Sequence, residues 1–157
     1  MGTITTQDIG ETIAKITNKH VYFDTNPIIH FLNGNTSYFN VCKALFQAVE
    51  DQNIYGYSSD LCLAELLVKP LRDNNHLEIR IIKGFFDDGF FQVLNHDRST
   101  LELSATIRAM QRLKMIDAVH VATAIQHGCD YLVTADEQIV RNTIGISVIN
   151  LNQYIQK

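Results

Sequence analysis

The chain has no surplus of positive charge: 13 lysines and arginines against 17 acids give a formal net charge of -4. A broad basic surface, the usual mark of a protein that holds nucleic acid by charge alone, is therefore absent. Its three cysteines, Cys42, Cys62 and Cys129, are odd in number, far apart and without a CxxC pair. That spacing argues against a disulfide framework or a zinc site and fits a reduced, cytoplasmic protein. No apolar run approaches the roughly 18 residues needed to span a bilayer, and no basic segment leads into an apolar stretch, so a soluble, unexported protein with no membrane partner is expected. Internal repeats, low-complexity tracts and linkers are missing too. The two prolines, Pro27 and Pro70, each read as a helix boundary.

What is present is globular. The 157 residues are 46% hydrophobic and 19% charged, enough for one domain with a substantial core. We read residues 1–157 as that domain, with residues 1–19 an N-terminal helical extension. There Ile9, Ile13 and Ile16 recur at helical spacing, as in a short helix docking on the domain or on a partner.

Beyond the extension, strands alternate with helices. "HVYF" is a short buried strand, followed by a helix start with Asn26 as cap and Pro27 as first helical residue. "VCKALFQAVE" places Val41, Ala44, Leu45, Ala48 and Val49 on one helical face. "IYGYSS" is a strand, "DLCLAELLVKP" a helix closed by Pro70, "HLEIRIIKGFF" a helix and "FFQVLN" a strand. Ser99 to Met110 is helical, "DAVHVATAIQ" is a helix stopped by Gly128, "YLVT" a strand, "DEQIVRN" a helix and "ISVIN" a last strand. Such alternation predicts an α/β fold with a parallel sheet, covered by helices on both faces because its strands are continuously apolar.

Ligands of open α/β sheets bind outside the carboxyl ends of the strands. Asp24 falls just past the first strand, where a turn-capping role is the ordinary alternative. Glu65 is the only charge in "LCLAELLV", with no ion-pair partner three or four residues away, and burying a lone carboxylate is costly unless something binds it. Asp117 heads a helix that is apolar nearly all round, a position the helix dipole also favours. Asp136 follows "YLVT"; a capping box formed by Thr134 and Glu137 would put it in the first helical turn. Asp130, before the same strand, belongs at the opposite end.

Each acid has a private explanation, but private explanations do not gather four acids at one sheet edge. Crowded carboxylates repel unless protonated or interleaved with cations. An all-oxygen set without a required cysteine or histidine suits Mg²⁺ or Mn²⁺, ions that support phosphodiester hydrolysis.

"DTN" after the first strand, the lone glutamate of "LCLAELL", and "RLKMIDAVHVATAIQHGCDYLVTADEQI" resemble the PIN domain family, whose best-known small members are toxins of the VapBC type. The resemblance runs from about His20 to Leu151. Its most specific part is the join of "DAVHVATAI" to "DYLVTAD". It implies a three-layer α/β/α sandwich with a five-stranded parallel sheet and a Mg²⁺- or Mn²⁺-dependent ribonuclease that leaves a 5′-phosphate and a 3′-hydroxyl. By position, Asp24, Glu65, Asp117 and Asp136 match the four catalytic, metal-binding acids, while Asn26 and Thr134 match supporting polar residues. RNA as substrate, an antitoxin partner that blocks the site with an arginine, and a homodimer are further implications.

Lys69, Arg72, Arg108, Arg112 and Lys114 are candidates for phosphate contacts. His120, one turn after Asp117, reads as a structural histidine; His30, His76, His96 and His127 lack metal-ligand spacing. Phe85, Phe86, Phe90 and Phe91 read as core rather than as base-stacking residues. Two rival functions stand beside this reading. A haloacid-dehalogenase-like phosphatase needs an aspartate where this chain has Asn26, and a PIN-like RNA- or protein-binding module would bind without turnover.

Overall fold

Every described strand is short, three to five residues, enough to cross the core. The computed structural model describes residues 7–34 and 36–155; residues 1–6 of the expected extension lie outside them. The described strands are β1 (His20–Phe23), β2 (Tyr55–Ser59), β3 (Gln92–Leu94), β4 (Tyr131–Thr134) and β5 (Ser147–Asn150). They form one parallel sheet in the order β3-β2-β1-β4-β5. The helices are α1 (Ile9–Lys15), α2 (Thr25–Asn33), α3 (Phe39–Glu50), α4 (Asp60–Arg72), α5 (His76–Asp87), α6 (Arg98–Met110), α7 (Met115–Gln126) and α8 (Glu137–Asn142), with a 3₁₀ turn at Leu151–Tyr154. The three-layer α/β/α sandwich expected from the sequence is the fold observed. No helix among the described residues is long and apolar enough to cross a membrane.

The alternation of β1 assigns the layers. Phe23 turns to one face, against Phe46 of α3 and Phe91 (ring centroids 5.0 and 5.5 Å), where Phe31, Phe85 and Phe90 extend the aromatic cluster. Tyr22 turns to the other, toward Cys62 of α4 and His120 of α7. The phenylalanine pairs thus belong to packing, with Phe86 and Phe91 buried and Phe85 and Phe90 partly so. At Gly56 of β2 a side chain has no room, since a Cβ would lie 2.9 Å from both methyl carbons of Val49. On the extension, α1 packs against α3. Ile16 is buried, and Thr12 Oγ1 meets the Tyr154 hydroxyl at 2.8 Å.

Several expected boundaries move by one or two residues; α3 and α7 each begin two residues earlier, at Phe39 and Met115. α4 runs through Pro70 to Arg72. A proline in the last turn removes one backbone hydrogen bond without ending the helix; Pro70 is buried, and α4 packs against α5. The strand read into "FFQVLN" shrinks to Gln92–Leu94, the three residues that pair with β2. Gly128 does follow the end of α7, with the left-handed φ of 72° that other residues avoid.

Candidate active site

Chain order reverses at β1, which has β2 on one side and β4 on the other. The carboxyl ends of β1 and β4 therefore flank a topological switch point, the place where this class of sheet opens a crevice. Asp24 follows β1 there and Asp136 follows β4.

Asp24 is the N-cap of α2: its Oδ1 accepts from the Asn26 N–H at 3.1 Å. Local sequence suggests Asn26 as cap and Pro27 as first helical residue, and neither holds. Instead Thr25 and Asn26 are the first two helical residues and Pro27 the third, still in the turn where a missing N–H costs nothing. The other oxygen, Oδ2, accepts from the Thr134 hydroxyl at 2.6 Å. Asp24 is buried, 3% exposed. Burial pushes its carboxyl up to about 7 and the charge of Glu65 adds to the push, against His120 and the two hydrogen bonds.

Thr134 ends β4 and is fully buried. Besides donating to Asp24 it accepts from the Asp136 N–H at 3.0 Å. The expected capping box from Thr134 to Glu137 is not formed: Asp136 itself caps α8, its Oδ1 accepting from the Gln138 N–H at 2.8 Å. Threonine is spent on tying two acids together, so the next acid takes the cap.

Glu65 lies on the middle of α4, and its partner comes from another helix. Its Oε1 accepts from His120 Nε2 at 2.6 Å and from the Thr25 hydroxyl at 2.8 Å. Burial would push this carboxyl up, but His120 and then Thr25 hold it below its ordinary value. Asp117 stands in the first turn of α7, half-buried. Burial pushes its carboxyl up, Asp136 and Glu65 push further, and His120 and Lys114 oppose them. Glu65 thus bears on both Asp24 and Asp117, and Asp136 bears on Asp117. Of the five nominated cations, Lys114 lowers Asp117, whereas Lys69 is paired with Asp73 at 2.9 Å on the exposed end of α4. Asp130 sits at the far edge, where it accepts from the His20 N–H at 2.9 Å.

His120 is the residue that sequence reasoning set aside. It is buried, with Nδ1 against the Tyr22 hydroxyl at 2.7 Å and Nε2 on Glu65. Its place three residues after Asp117 was the available signal, because that spacing keeps both on one helical face.

Among the described residues no three His, Cys, Asp or Glu side chains already stand as a metal cage. The donor chemistry nevertheless fits a hard cation: the set is all carboxylate, and Asp24 and Asp117 are both held above their ordinary range by burial and like charge that a cation would offset.

Solved structures of similar fold include VapBC2 from Rickettsia felis bound to a DNA fragment from its promoter, at 15% identity and a TM-score of 0.65 over 83% of this chain and 97% of that one. A toxin-antitoxin complex from Klebsiella pneumoniae shares 23% identity, with a TM-score of 0.60 and the same coverage of both chains. VapC20 of Mycobacterium tuberculosis, a toxin that cleaves the Sarcin-Ricin loop, shares 13% over 71% of this chain and 86% of that one, with a TM-score of 0.59. No curated protein matches the chain. The PIN domain model matches residues 21–144, from the first residues of β1 past the end of α8, and with four-fifths of its length inside that match the chain belongs to the PIN domain family.

Proposed function

We propose that the chain is a Mg²⁺- or Mn²⁺-dependent endoribonuclease, a hydrolase of RNA phosphodiesters. One observation carries the reading: Thr134 ties Asp24 to the backbone of Asp136 after β1 and β4, and Glu65 is held by Thr25, next to Asp24, and by His120, one turn after Asp117. In this reading Asp24 and Asp117 are the principal ligands, and Glu65 and Asp136 complete the site directly or through water. A bound divalent cation would supply an activated water and stabilise charge developing on a phosphoryl oxygen. The chain's own residues hold that arrangement ready. Thr134 and the Asn26 N–H fix both oxygens of Asp24, Thr25 and His120 fix one oxygen of Glu65, and the Asp136 carboxylate is fixed by the α8 backbone. Lys114, the cation that acts on Asp117, is the first candidate for a phosphate contact, with Arg72, Arg108 and Arg112 as further candidates, whereas Lys69 is taken up by Asp73.

The test is cleavage of a labelled mixed RNA pool by wild type, Asp24→Asn and Asp117→Asn, each with Mn²⁺, with Mg²⁺ and with EDTA. Cleavage that needs metal and is lost in both variants is the expected result. An inactive wild type, or variants as active as wild type, overturns it and leaves a module that binds RNA or protein without turnover.

The solved structures of similar fold include toxin-antitoxin complexes, which supports a toxin role with an antitoxin partner. An arginine of that partner entering the acidic crevice would pair with carboxylates bidentately. Co-purification with the product of an adjacent gene tests the partner, and sedimentation tests the homodimer.

A further inference from the structure

His120 joins three elements of the acidic edge at once. Its own helix, α7, carries Asp117 three residues earlier. Its Nδ1 reaches the hydroxyl of Tyr22, two residues before Asp24 on β1, and its Nε2 reaches Glu65 on α4. The Tyr22 hydroxyl is in turn bonded to Ser59 Oγ at 2.8 Å, at the amino-terminal cap of α4. Both ring nitrogens are therefore engaged and the ring plane is fixed inside the core, with only 3% of the side chain exposed.

The direction of one of these bonds is settled by chemistry. An ionised carboxylate only accepts, so Nε2 is the donor to Glu65 whatever Nδ1 carries. The Thr25 hydroxyl donates to the same Oε1. Two donors thus converge on one oxygen, and Oε2 of Glu65 is the oxygen with no hydrogen bond among the described residues, on a side chain 30% exposed.

We infer that His120 is a positioning residue: with Thr25 it pins Oε1 of Glu65 so that Oε2 is presented to the acidic crevice as a pre-set single donor for a divalent cation. A glutamate has three side-chain torsions, and one left free must be ordered each time an ion binds. Groups that orient a metal ligand from behind contribute to affinity although they never touch the ion. This inference rests on the metal-dependent reading proposed above, and it assigns His120 no contact with substrate or ion.

The experiment is titration of EDTA-stripped protein with MnCl₂, following free Mn²⁺ by its paramagnetic resonance signal, with thermal melts of every variant. His120→Leu removes both ring nitrogens, His120→Gln returns an N–H close to where Nε2 stood, Tyr22→Phe removes the anchor behind the ring, and Asp117→Asn is the control for the acidic site. The Mn²⁺ dissociation constant is expected to rise about 10-fold or more in His120→Leu, to return most of the way in His120→Gln, and to rise by a smaller factor in Tyr22→Phe. Folded His120→Leu with wild-type affinity, or folded His120→Gln as weak as His120→Leu, overturns the inference and leaves a histidine of the core. If His120→Leu does not fold, Tyr22→Phe decides: weakened binding supports the inference and unchanged binding overturns it. Binding that falls in Asp117→Asn but not in the His120 variants sinks the positioning role alone. A wild type that binds no Mn²⁺, or binds as well after Asp117→Asn, sinks the metal reading and this inference with it.

Discussion

The hydroxyl of Thr134 donates to Asp24 Oδ2 at 2.6 Å across 110 residues of sequence, and Thr134 Oγ1 itself accepts from the Asp136 N–H at 3.0 Å. One buried side chain thus joins the carboxyl ends of β1 and β4 and sets the spacing of two acids. Thr134→Val keeps the shape and removes the hydroxyl, leaving a buried carboxylate and a backbone N–H short of a partner. A loss of about 1–3 kcal/mol in urea unfolding is expected, together with a sharp fall in RNA cleavage. Thr134→Ser should retain most of both, and equal losses in the two variants would show that the methyl group, not the hydroxyl, is what the site needs.

Asp24 makes the stability of the metal-free protein depend on pH. Its folded-state carboxyl lies at about 7, raised from 3.8, so between about pH 4 and pH 7 the folded state binds the proton more tightly than the unfolded chain. Stability then falls as pH rises through that window, and the cost is complete above it. At about 1.4 kcal/mol per unit the full cost is on the order of 4 kcal/mol. Asp24→Asn can still cap α2 and carries no charge. In EDTA its melting temperature should exceed that of wild type at pH 8, and the gap should close toward pH 5; a gap independent of pH would refute the buried charge.

Gly56→Ala should destabilise without touching the site. The new methyl would lie 2.9 Å from Cγ1 and Cγ2 of Val49 and 3.2 Å from Phe91 Cδ1, an overpacking that costs about 1–3 kcal/mol. Val49→Ala in the same chain removes the clash, so the double variant should unfold at higher urea than the two single losses sum to. Strict additivity of the two changes would rule the contact out.

Asp130 and Asp136 flank the same strand and should separate cleanly. Asp130→Ala gives up the bond to the His20 N–H at the exposed, amino-terminal edge, for about 0.5–1.5 kcal/mol, and cleavage of RNA should stay at the wild-type rate. Asp136→Ala should abolish or severely reduce it. A large activity loss in Asp130→Ala would place the chemistry at the wrong end of the sheet.

The strands and their ends were legible in the chain itself. "HVYF" and "YLVT" coincide with β1 and β4, because a strand buried on both faces must be continuously apolar and must stop where polar residues begin. From that the parallel sheet followed, and with it the edge where Asp24 and Asp136 stand. The caps were not legible. Asp24 and Asn26 are both good N-caps, as are Thr134 and Asp136, and the local energies differ too little to choose. Tertiary structure chose, by committing Thr134 to Asp24 and so passing the α8 cap to Asp136. The end of α4 was not legible either: a proline in the last turn costs one backbone bond and can be passed, and α4 runs on to Arg72.

Glu65 and His120 mark the boundary between the two kinds of knowledge. The sequence determined that a lone carboxylate would sit in an apolar helix and need a partner, since no residue three or four away offers one. It did not determine who the partner is. His120 lies 55 residues further on and reaches Glu65 only because the sheet order brings α4 and α7 to the same face of β1. Periodicity reports which side of a helix is apolar, whereas the contact between two helices depends on the order of the strands beneath them, and that order is a property of the whole packed core.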